Sequence, residues 1–261
     1  MSRVGPGHEP GAAPAPLYAD VGIVAAMSIE VGFLTDRLTK VRKYAGPGHT
    51  VIEGETGGKL VAVLVGGMGR VAAGRAAGLL LDGHRPRWIV SAGFAGALDP
   101  ALKRNDAVLP FEVIDPDGLR YSVGVSVPAE EPGATGRGLK SGRLLTVDAI
   151  VRTAAEKAEL RARHGADLVD METSAVVSLC SARGVRFLSV RVISDEATVD
   201  LPREIATLMT RSGGYRVGAA LRAIWNRPSS LKDFLALHEH AHEAADRLAE
   251  VTLGAVARLP D

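Results

Sequence analysis

Short apolar runs alternate with helical segments along most of this chain. Continuous apolar runs of strand length are typical of strands that are buried on both faces of a sheet. The clearest of these runs lie at 20–27, 87–92 and 185–193. Segments with helical periodicity lie at 28–40, 70–81, 148–163 and 171–183. The alternation predicts an α/β fold and disfavours a sandwich or a helical bundle.

Composition narrows the class of protein. The 261 residues are 46% hydrophobic, which is enough for one large domain, and the net charge is +1. Basic and acidic residues are interspersed, so we expect no nucleic-acid partner. The single Cys180 fits a reducing compartment, and we expect a cytoplasmic protein. The apolar runs are shorter than the roughly 18 residues of a membrane-spanning helix, so no span is expected.

The two ends of the chain differ from its middle. Residues 1–19 are rich in Gly, Pro and Ala, and we expect a disordered leader followed by a single domain at 20–261. The segment 199–237 reads as a helical insertion, and a long helix is expected from Ser230 to about residue 259. His238, His240 and His242 fall in this helix without an accompanying cysteine, and a polar helix face is the favoured interpretation, so no metal site is expected.

Acidic side chains stand where predicted strands end. The run 167–170 leads through Met171 to Glu172, and the strand 185–193 is followed by Ser194 and Asp195. Ligands of α/β sheets bind at the carboxyl ends of strands, so Glu172 and Asp195 are expected at one rim. Glu30 lies in the first helical turn after the strand 20–27. Each acid also has a structural reading, Asp195 as a helix N-cap and the two glutamates as partners of a helix dipole.

A glycine-rich turn joins a predicted strand to a predicted helix at 66–70. Gly67, Gly69 and Ala72 fit the pattern G-x-G-x-x-A, whose backbone N–H groups are suited to an anion or a sugar. A dinucleotide site would need an acid at the end of the next strand, where this chain has Ala92 and Gly93. We therefore expect no nucleotide cofactor. Ala92 and Gly93 are expected to open a second small-residue loop, which continues through Gly96 to Leu98 and which a ligand can approach closely.

Five blocks of sequence together resemble the nucleoside phosphorylase/nucleosidase superfamily, and within it the 5'-methylthioadenosine/S-adenosylhomocysteine nucleosidases. The blocks, in the family's order, are GIVAAMSIE at 22–30, GMGRVAA at 67–73, SAGFAG at 91–96, VDME at 169–172 and RVISD at 191–195. The resemblance implies a three-layer phosphorylase/hydrolase-like fold, with a central mixed sheet flanked by helices and extra C-terminal helices. It also implies an N-glycosidase without a cofactor that acts as a homodimer or a higher homo-oligomer.

The resemblance assigns reacting groups. Asp195 would be the general acid that protonates or hydrogen-bonds N7 of the leaving purine, and Ser194 would orient it. Glu30 would position the attacking water, with Arg191 close to it.

The resemblance also assigns substrate contacts. Glu172 would hold the ribose hydroxyls, Met171 would pack under the sugar, and Asp170 belongs to the same motif. The glycine turn and the Ala92–Gly93 loop would form the walls and floor of the site.

The chain departs from the nucleosidases at the base. Ile150 stands where an aromatic residue usually stacks on adenine, so Ile150 and Val151 would hold the base by apolar contact. Gly66 replaces a usual serine. The insertion at 199–237 is similar to one in hopanoid-linked phosphorylases, which act on an adenosyl group attached to a lipid.

The sequence leaves three functions open. The first is hydrolysis of a purine nucleoside, with water positioned by Glu30. The second is phosphorolysis, in which Arg70 beside Gly69 would contact inorganic phosphate and Glu30 would repel it. The third is a nucleoside-binding protein that has lost turnover.

Overall fold

A computed structural model describes residues 18–46, 48–124, 138–201 and 230–260, and for 230–240 it describes the backbone alone. The expected leader, apart from residues 18 and 19, lies outside these ranges. So does the expected insertion, apart from its two ends at 199–201 and 230–237.

Strands and helices alternate through the described part of the chain. The strands are β1 (Val21–Ala25), β2 (Thr39–Gly46), β3 (His49–Thr56), β4 (Lys59–Val65), β5 (Trp88–Ala97), β6 (Ala107–Ile114), β7 (Arg120–Ser122), β8 (Lys140–Thr146), β9 (Leu168–Asp170) and β10 (Arg186–Asp195). The helices are α1 (Ser28–Asp36), α2 (Arg70–Gly83), α3 (Ala154–His164), α4 (Thr173–Arg183) and α5 (Ser230–Arg258).

All of these strands belong to one mixed sheet that closes on itself. Strands β5, β10, β6, β8 and β9 form a closed ring, in which β9 returns to pair with β5. The strands β1, β4, β3 and β2 extend from β5 as an open arm. Helices α2 and α4 cover one face, and α1 and α5 cover the other. The α/β fold with a central mixed sheet flanked by helices is thus confirmed.

Strand β5 changes partners along its length. Its residues 88–91 pair with β1, its residues 96–97 pair with β9, and its other edge pairs with β10 from Trp88 to Gly96. The prediction of a loop at Ala92 and Gly93 is therefore wrong, because pairing with β10 holds these small residues in an extended strand. Among the described strands, β1 and β9 leave the stretch 92–95 unpaired on one edge of β5.

Two helices are shorter than their periodicity predicts. Helix α1 ends at Asp36, because the exposed strand β2 begins at Thr39. Helix α3 begins at Ala154 and not near 148, because Thr153 caps it. The Thr153 hydroxyl accepts from Glu156 N, and the Glu156 carboxylate accepts from Thr153 N at 2.8 Å. Residues 147–152 are left as a loop that reaches the carboxyl ends of the strands.

Helix α4 carries the chain's single cysteine. Cys180 is fully buried between α4 and the sheet, and burial raises the pKa of its thiol to about 12. It packs there as a small apolar side chain. None of the helices in the described ranges is long and apolar enough to cross a membrane.

Gly22, in the middle of β1, tests how tightly the core is packed. A Cβ atom there would lie 2.7 Å from Ile89 Cδ1 and 3.2 Å from Pro86 Cγ. We expect Gly22→Ala to lower the free energy of unfolding by about 1–3 kcal/mol, through overpacking. Gly32→Ala in α1 is the control. A Cβ meets nothing within 4 Å there, and we expect a gain of about 0.5–1 kcal/mol from reduced chain entropy. Urea unfolding measures both, and equal stability of the two variants would contradict the packing argument.

Candidate functional site

A cavity of about 190 Å³ opens where strands of the ring end. Its polar lining consists of Glu30, Asp170, Glu172, Ser194 and Asp195. Its apolar lining includes Met27, Met68, Phe94, Val147, Ile150, Val151, Val169, Met171 and Leu201. The structure therefore brings together residues that the sequence places in seven separate segments, between Met27 and Leu201.

Glu30 is held at the junction of α1 and β5. Its Oε2 accepts from the backbone N–H groups of Ala26 and Met27, at 2.9 and 2.8 Å. Its Oε1 accepts from Phe94 N at 2.9 Å, on the edge of β5 that lies between β1 and β9. Burial raises the pKa of Glu30, while these hydrogen bonds and the charge of Arg191 oppose the rise. The two readings of Glu30 are thus compatible, since it binds the start of the helix and also faces the cavity.

Gly93 leaves room for the Glu30 carboxylate. A Cβ atom on Gly93 would lie 2.8 Å from Glu30 Oε1 and 3.0 Å from Arg191 Nη1. Ala92 and Gly93 line a small recess beside the main cavity, together with Glu30, Glu172 and Arg191. The residues expected as a loop thus adjoin the site from within a strand.

Arg191 lies beneath the cavity and is 2% exposed. Its Nη2 donates to Ser91 Oγ at 2.7 Å, to Asp170 Oδ2 at 2.9 Å and to Thr173 Oγ1 at 2.5 Å. Its Nη1 donates to the carbonyl oxygens of Ser91 and Val190, at 3.3 and 3.2 Å. Both Nη groups are therefore occupied by internal partners, and Asp170 neutralises the guanidinium charge.

Glu172 lies at the N-cap position of α4 but does not cap that helix. Its Oε1 accepts from Gly69 N at 2.7 Å, which links it to the glycine turn. Burial, and next the negative charge of Asp170, raise the pKa of Glu172 to about 7, against the opposing effects of the Gly69 N–H and Arg191. A carboxyl group in this range exchanges its proton readily near neutral pH.

The glycine turn contributes to the site indirectly. Gly67 N donates to the Ala26 carbonyl oxygen at 3.1 Å, and Gly69 N donates to Glu172. From this turn Met68 lines the cavity, whereas Gly67 and Gly69 do not. The N–H groups of both glycines thus bind protein atoms, and the turn positions Glu172.

Asp195 ends β10, and no helix follows it within 196–201, so a helix N-cap does not account for it. Ser194 Oγ donates to its Oδ1 at 2.6 Å. Its Oδ2 lies 2.6 Å from Nζ of Lys157, a fully buried lysine on α3. Sequence reasoning missed Lys157, although it lies three residues before Leu160 on the inward face of the helix.

One wall of the cavity is apolar. Ile150 and Val151 line it from the loop before α3, beside Val147 and Leu201. Sequence reasoning noted no aromatic residue here, yet Phe94 also lines the cavity, and its place inside the SAGFAG block was the available signal.

The raised pKa of Glu172 makes stability depend on pH. A raised folded-state pKa favours folding below the ordinary value of 4.5, and this contribution is lost as pH rises through about 7. Relative to a Glu172→Gln variant, we expect the wild type to lose up to about 3 kcal/mol of unfolding free energy over this range. Urea unfolding of both proteins across these pH values measures the difference. A difference that does not change with pH would contradict the burial of this carboxyl group.

The chain is similar in sequence to a family of known proteins and to one of its members. A sequence model described as "Phosphorylase superfamily" matches residues 20–257. The 5'-methylthioadenosine/S-adenosylhomocysteine nucleosidase of Actinobacillus succinogenes is 31% identical in an alignment of 195 residues that covers 67% of this chain and 85% of that protein.

Solved structures share the fold. The 5'-methylthioadenosine/S-adenosylhomocysteine nucleosidase of Neisseria meningitidis, in complex with methylthio-immucillin-A, superposes with a TM-score of 0.68 at 21% identity, over 92% of this chain and 99% of that one. The futalosine hydrolase of Helicobacter pylori gives 0.66 at 18% identity, over 92% and 97%.

Proposed function

Because this chain belongs to the phosphorylase superfamily, we propose that it hydrolyses the N-glycosidic bond of a purine nucleoside, of the 5'-methylthioadenosine or S-adenosylhomocysteine kind. The observation that carries the proposal is the convergence of Glu30, Glu172 and Asp195 on one cavity with an apolar wall. The sequence relative from Actinobacillus succinogenes supports it.

Cleavage of an N-glycosidic bond separates charge. Positive charge develops on the sugar and negative charge on the base, so catalysis needs a proton donor at the base and a nucleophile at the sugar. In our proposal Asp195 gives its proton to the purine, and Ser194 fixes the orientation of its carboxyl group through Oδ1. Ile150 and Val151 contact the base from the apolar wall.

The sugar is assigned to the other carboxylates. Glu172 accepts hydrogen bonds from the ribose hydroxyls, with its own Oε1 held by Gly69 N, and Met171 packs under the ring. Glu30 accepts a hydrogen bond from the attacking water and takes its proton. Its raised pKa makes it a better base than an exposed glutamate. Asp170 acts from behind, because it holds Arg191 in place.

The charges around the cavity favour water over phosphate. A phosphate ion would meet the carboxyl groups of Glu30 and Glu172 and would need a cation to hold it. Both Nη groups of Arg191 are engaged inside the protein. Arg70 is engaged as well, since its Nε and Nη2 donate to the two carboxylate oxygens of Asp148 at 2.7 and 2.9 Å.

The reaction is tested by its products. The protein is incubated with 5'-methylthioadenosine, S-adenosylhomocysteine, adenosine, inosine and futalosine, each with and without inorganic phosphate. We expect free base and free sugar at the same rate in both conditions, as read by chromatography and mass spectrometry. A sugar phosphate that forms only with phosphate would show a phosphorylase. Binding of a nucleoside without any product would show a protein that has lost turnover.

Asp195→Asn tests the proton donor. An amide keeps the shape of the carboxyl group but cannot give up a proton, so we expect kcat to fall by about 10²- to 10⁴-fold. Asp99→Asn is the matched control, because Asp99 is a partly exposed residue whose carboxylate pairs with Arg161 and does not line the cavity. We expect the control to retain its activity. Equal activity of the wild type and Asp195→Asn would exclude Asp195 as the acid.

A further inference from the structure

Lys157 is a buried cation that has no role in the reaction as proposed above. Its side chain is fully buried on α3, although an ammonium group away from water is costly unless it is paired. Nζ donates to the carbonyl oxygens of Glu196 and Val199, at 2.7 and 3.0 Å. It also lies 2.6 Å from Asp195 Oδ2, at ion-pair distance but off the alignment of a hydrogen bond.

The carbonyl bonds tie the turn after β10 to the start of α3. Two further hydrogen bonds strengthen this link, from Ala154 N to Asp200 Oδ1 at 2.7 Å and from Leu201 N to the Arg152 carbonyl oxygen at 2.8 Å. The turn 196–201 and the loop 147–152 therefore form one unit with Lys157 at its centre. This unit carries the apolar wall of the cavity on one side and Asp195 on the other.

Among the residues that the structure describes, Lys157 is the cation in ion-pair contact with Asp195. Glu196, which follows Asp195 in the sequence, accepts from Lys103 Nζ at 3.3 Å on the outer surface. Arg191 pairs with Asp170 and not with Asp195. The remaining charged groups that line the cavity are Glu30, Asp170 and Glu172.

From this arrangement we propose that Lys157 is a positioning residue for the general acid. It stabilises the carboxylate that forms on Asp195 when the proton leaves, and it fixes that carboxylate against the base-binding wall. The proposal rests on the hydrolysis proposed above. It goes further by assigning a role to a residue that contacts neither the substrate nor the water.

The proton and the electrons are accounted for in each step. The Asp195 proton passes to the purine while the electron pair of the glycosidic bond moves to the base. Water adds its oxygen to the sugar carbon and gives one proton to Glu30. Asp195 becomes a carboxylate as Glu30 becomes neutral, so the ammonium of Lys157 faces more negative charge after the step than before it. The cation thus favours the product side of the proton transfer.

Two variants separate charge from packing. Lys157→Gln keeps N–H donors for the two carbonyl groups and removes the charge, while Lys157→Arg keeps the charge. Lys103→Gln is the matched control, because it removes a lysine that pairs with Glu196 of the same turn at an exposed site, where solvent screens the charge. Thermal unfolding shows which variants fold. Lys157→Met, also neutral, replaces the glutamine variant if that variant does not fold.

Loss of the charge should change the pH profile in a defined direction. Removal of a cation that lies 2.6 Å from a carboxyl group favours the protonated form of that group. We therefore expect the basic limb of kcat/KM to move up by about one to three pH units in the neutral variant. We expect kcat to fall while KM stays close to the wild-type value. We expect Lys157→Arg to retain most of the wild-type kcat and the position of the basic limb, and Lys103→Gln to leave both unchanged.

Two results would overturn the proposal. One is a fall in kcat with an unmoved limb, which would make Lys157 a structural residue. The other is a wild-type profile in the neutral variant. A second readout does not need turnover, since the infrared band of the protonated Asp195 carboxyl group should persist to higher pH in the neutral variant without substrate. If the wild type cleaves no nucleoside, the hydrolysis proposal fails, and the infrared shift alone decides whether Lys157 controls the proton of Asp195.

Discussion

The hydrogen bond from Phe94 N to Glu30 Oε1 lies in the gap between β1 and β9, and the site is built at this gap. Strand β5 leaves β1 after Ser91 and meets β9 at Gly96, so an extended stretch between them has one edge without a strand partner among the described residues. An unpaired backbone N–H at such a place would be costly. A carboxylate from the first turn of α1 satisfies it, and the separation of β1 from β9 leaves space for the cavity. The sheet thus opens at this point, and the acid that fills the opening also faces the site.

Cations placed behind the site offset its negative charge. Four carboxyl groups line one cavity, and burial together with the negative charge of Asp170 opposes the ionisation of Glu172. Arg191 lies beneath Asp170 on one side, and Lys157 lies behind Asp195 on the other. Both cations are buried, so neither is screened by water as a surface charge would be. Each also has several neutral oxygen partners, which hold it in place. The cavity therefore presents acids to a substrate while the compensating charges stay inside the protein.

Local sequence signals predicted the framework well. Continuous apolar runs predict the buried strands, and strand direction alone predicts that the acids at the ends of β9 and β10 lie at one rim of the sheet. The signals failed where a distant strand decides the conformation. Gly93 and Gly96 read as a loop because small residues favour loops, but pairing with β10 holds them extended. Both positions need a small residue for another reason, since a Cβ on Gly96 would lie 3.1 Å from Asp195 Oδ2. Lys157 was missed because a lysine on a charged helix normally faces water, and its partners lie some forty residues along the chain.

The buried thiol of Cys180 has a practical consequence. The chain has one cysteine, and it is inaccessible and strongly resistant to deprotonation. Maleimides and iodoacetamides react with exposed thiolates, so they should not label the native protein. A cysteine introduced at the rim of the cavity, for example at the exposed Asp148, would then be labelled without background. A fluorophore or a spin label attached there would report on the 147–152 loop beside the cavity.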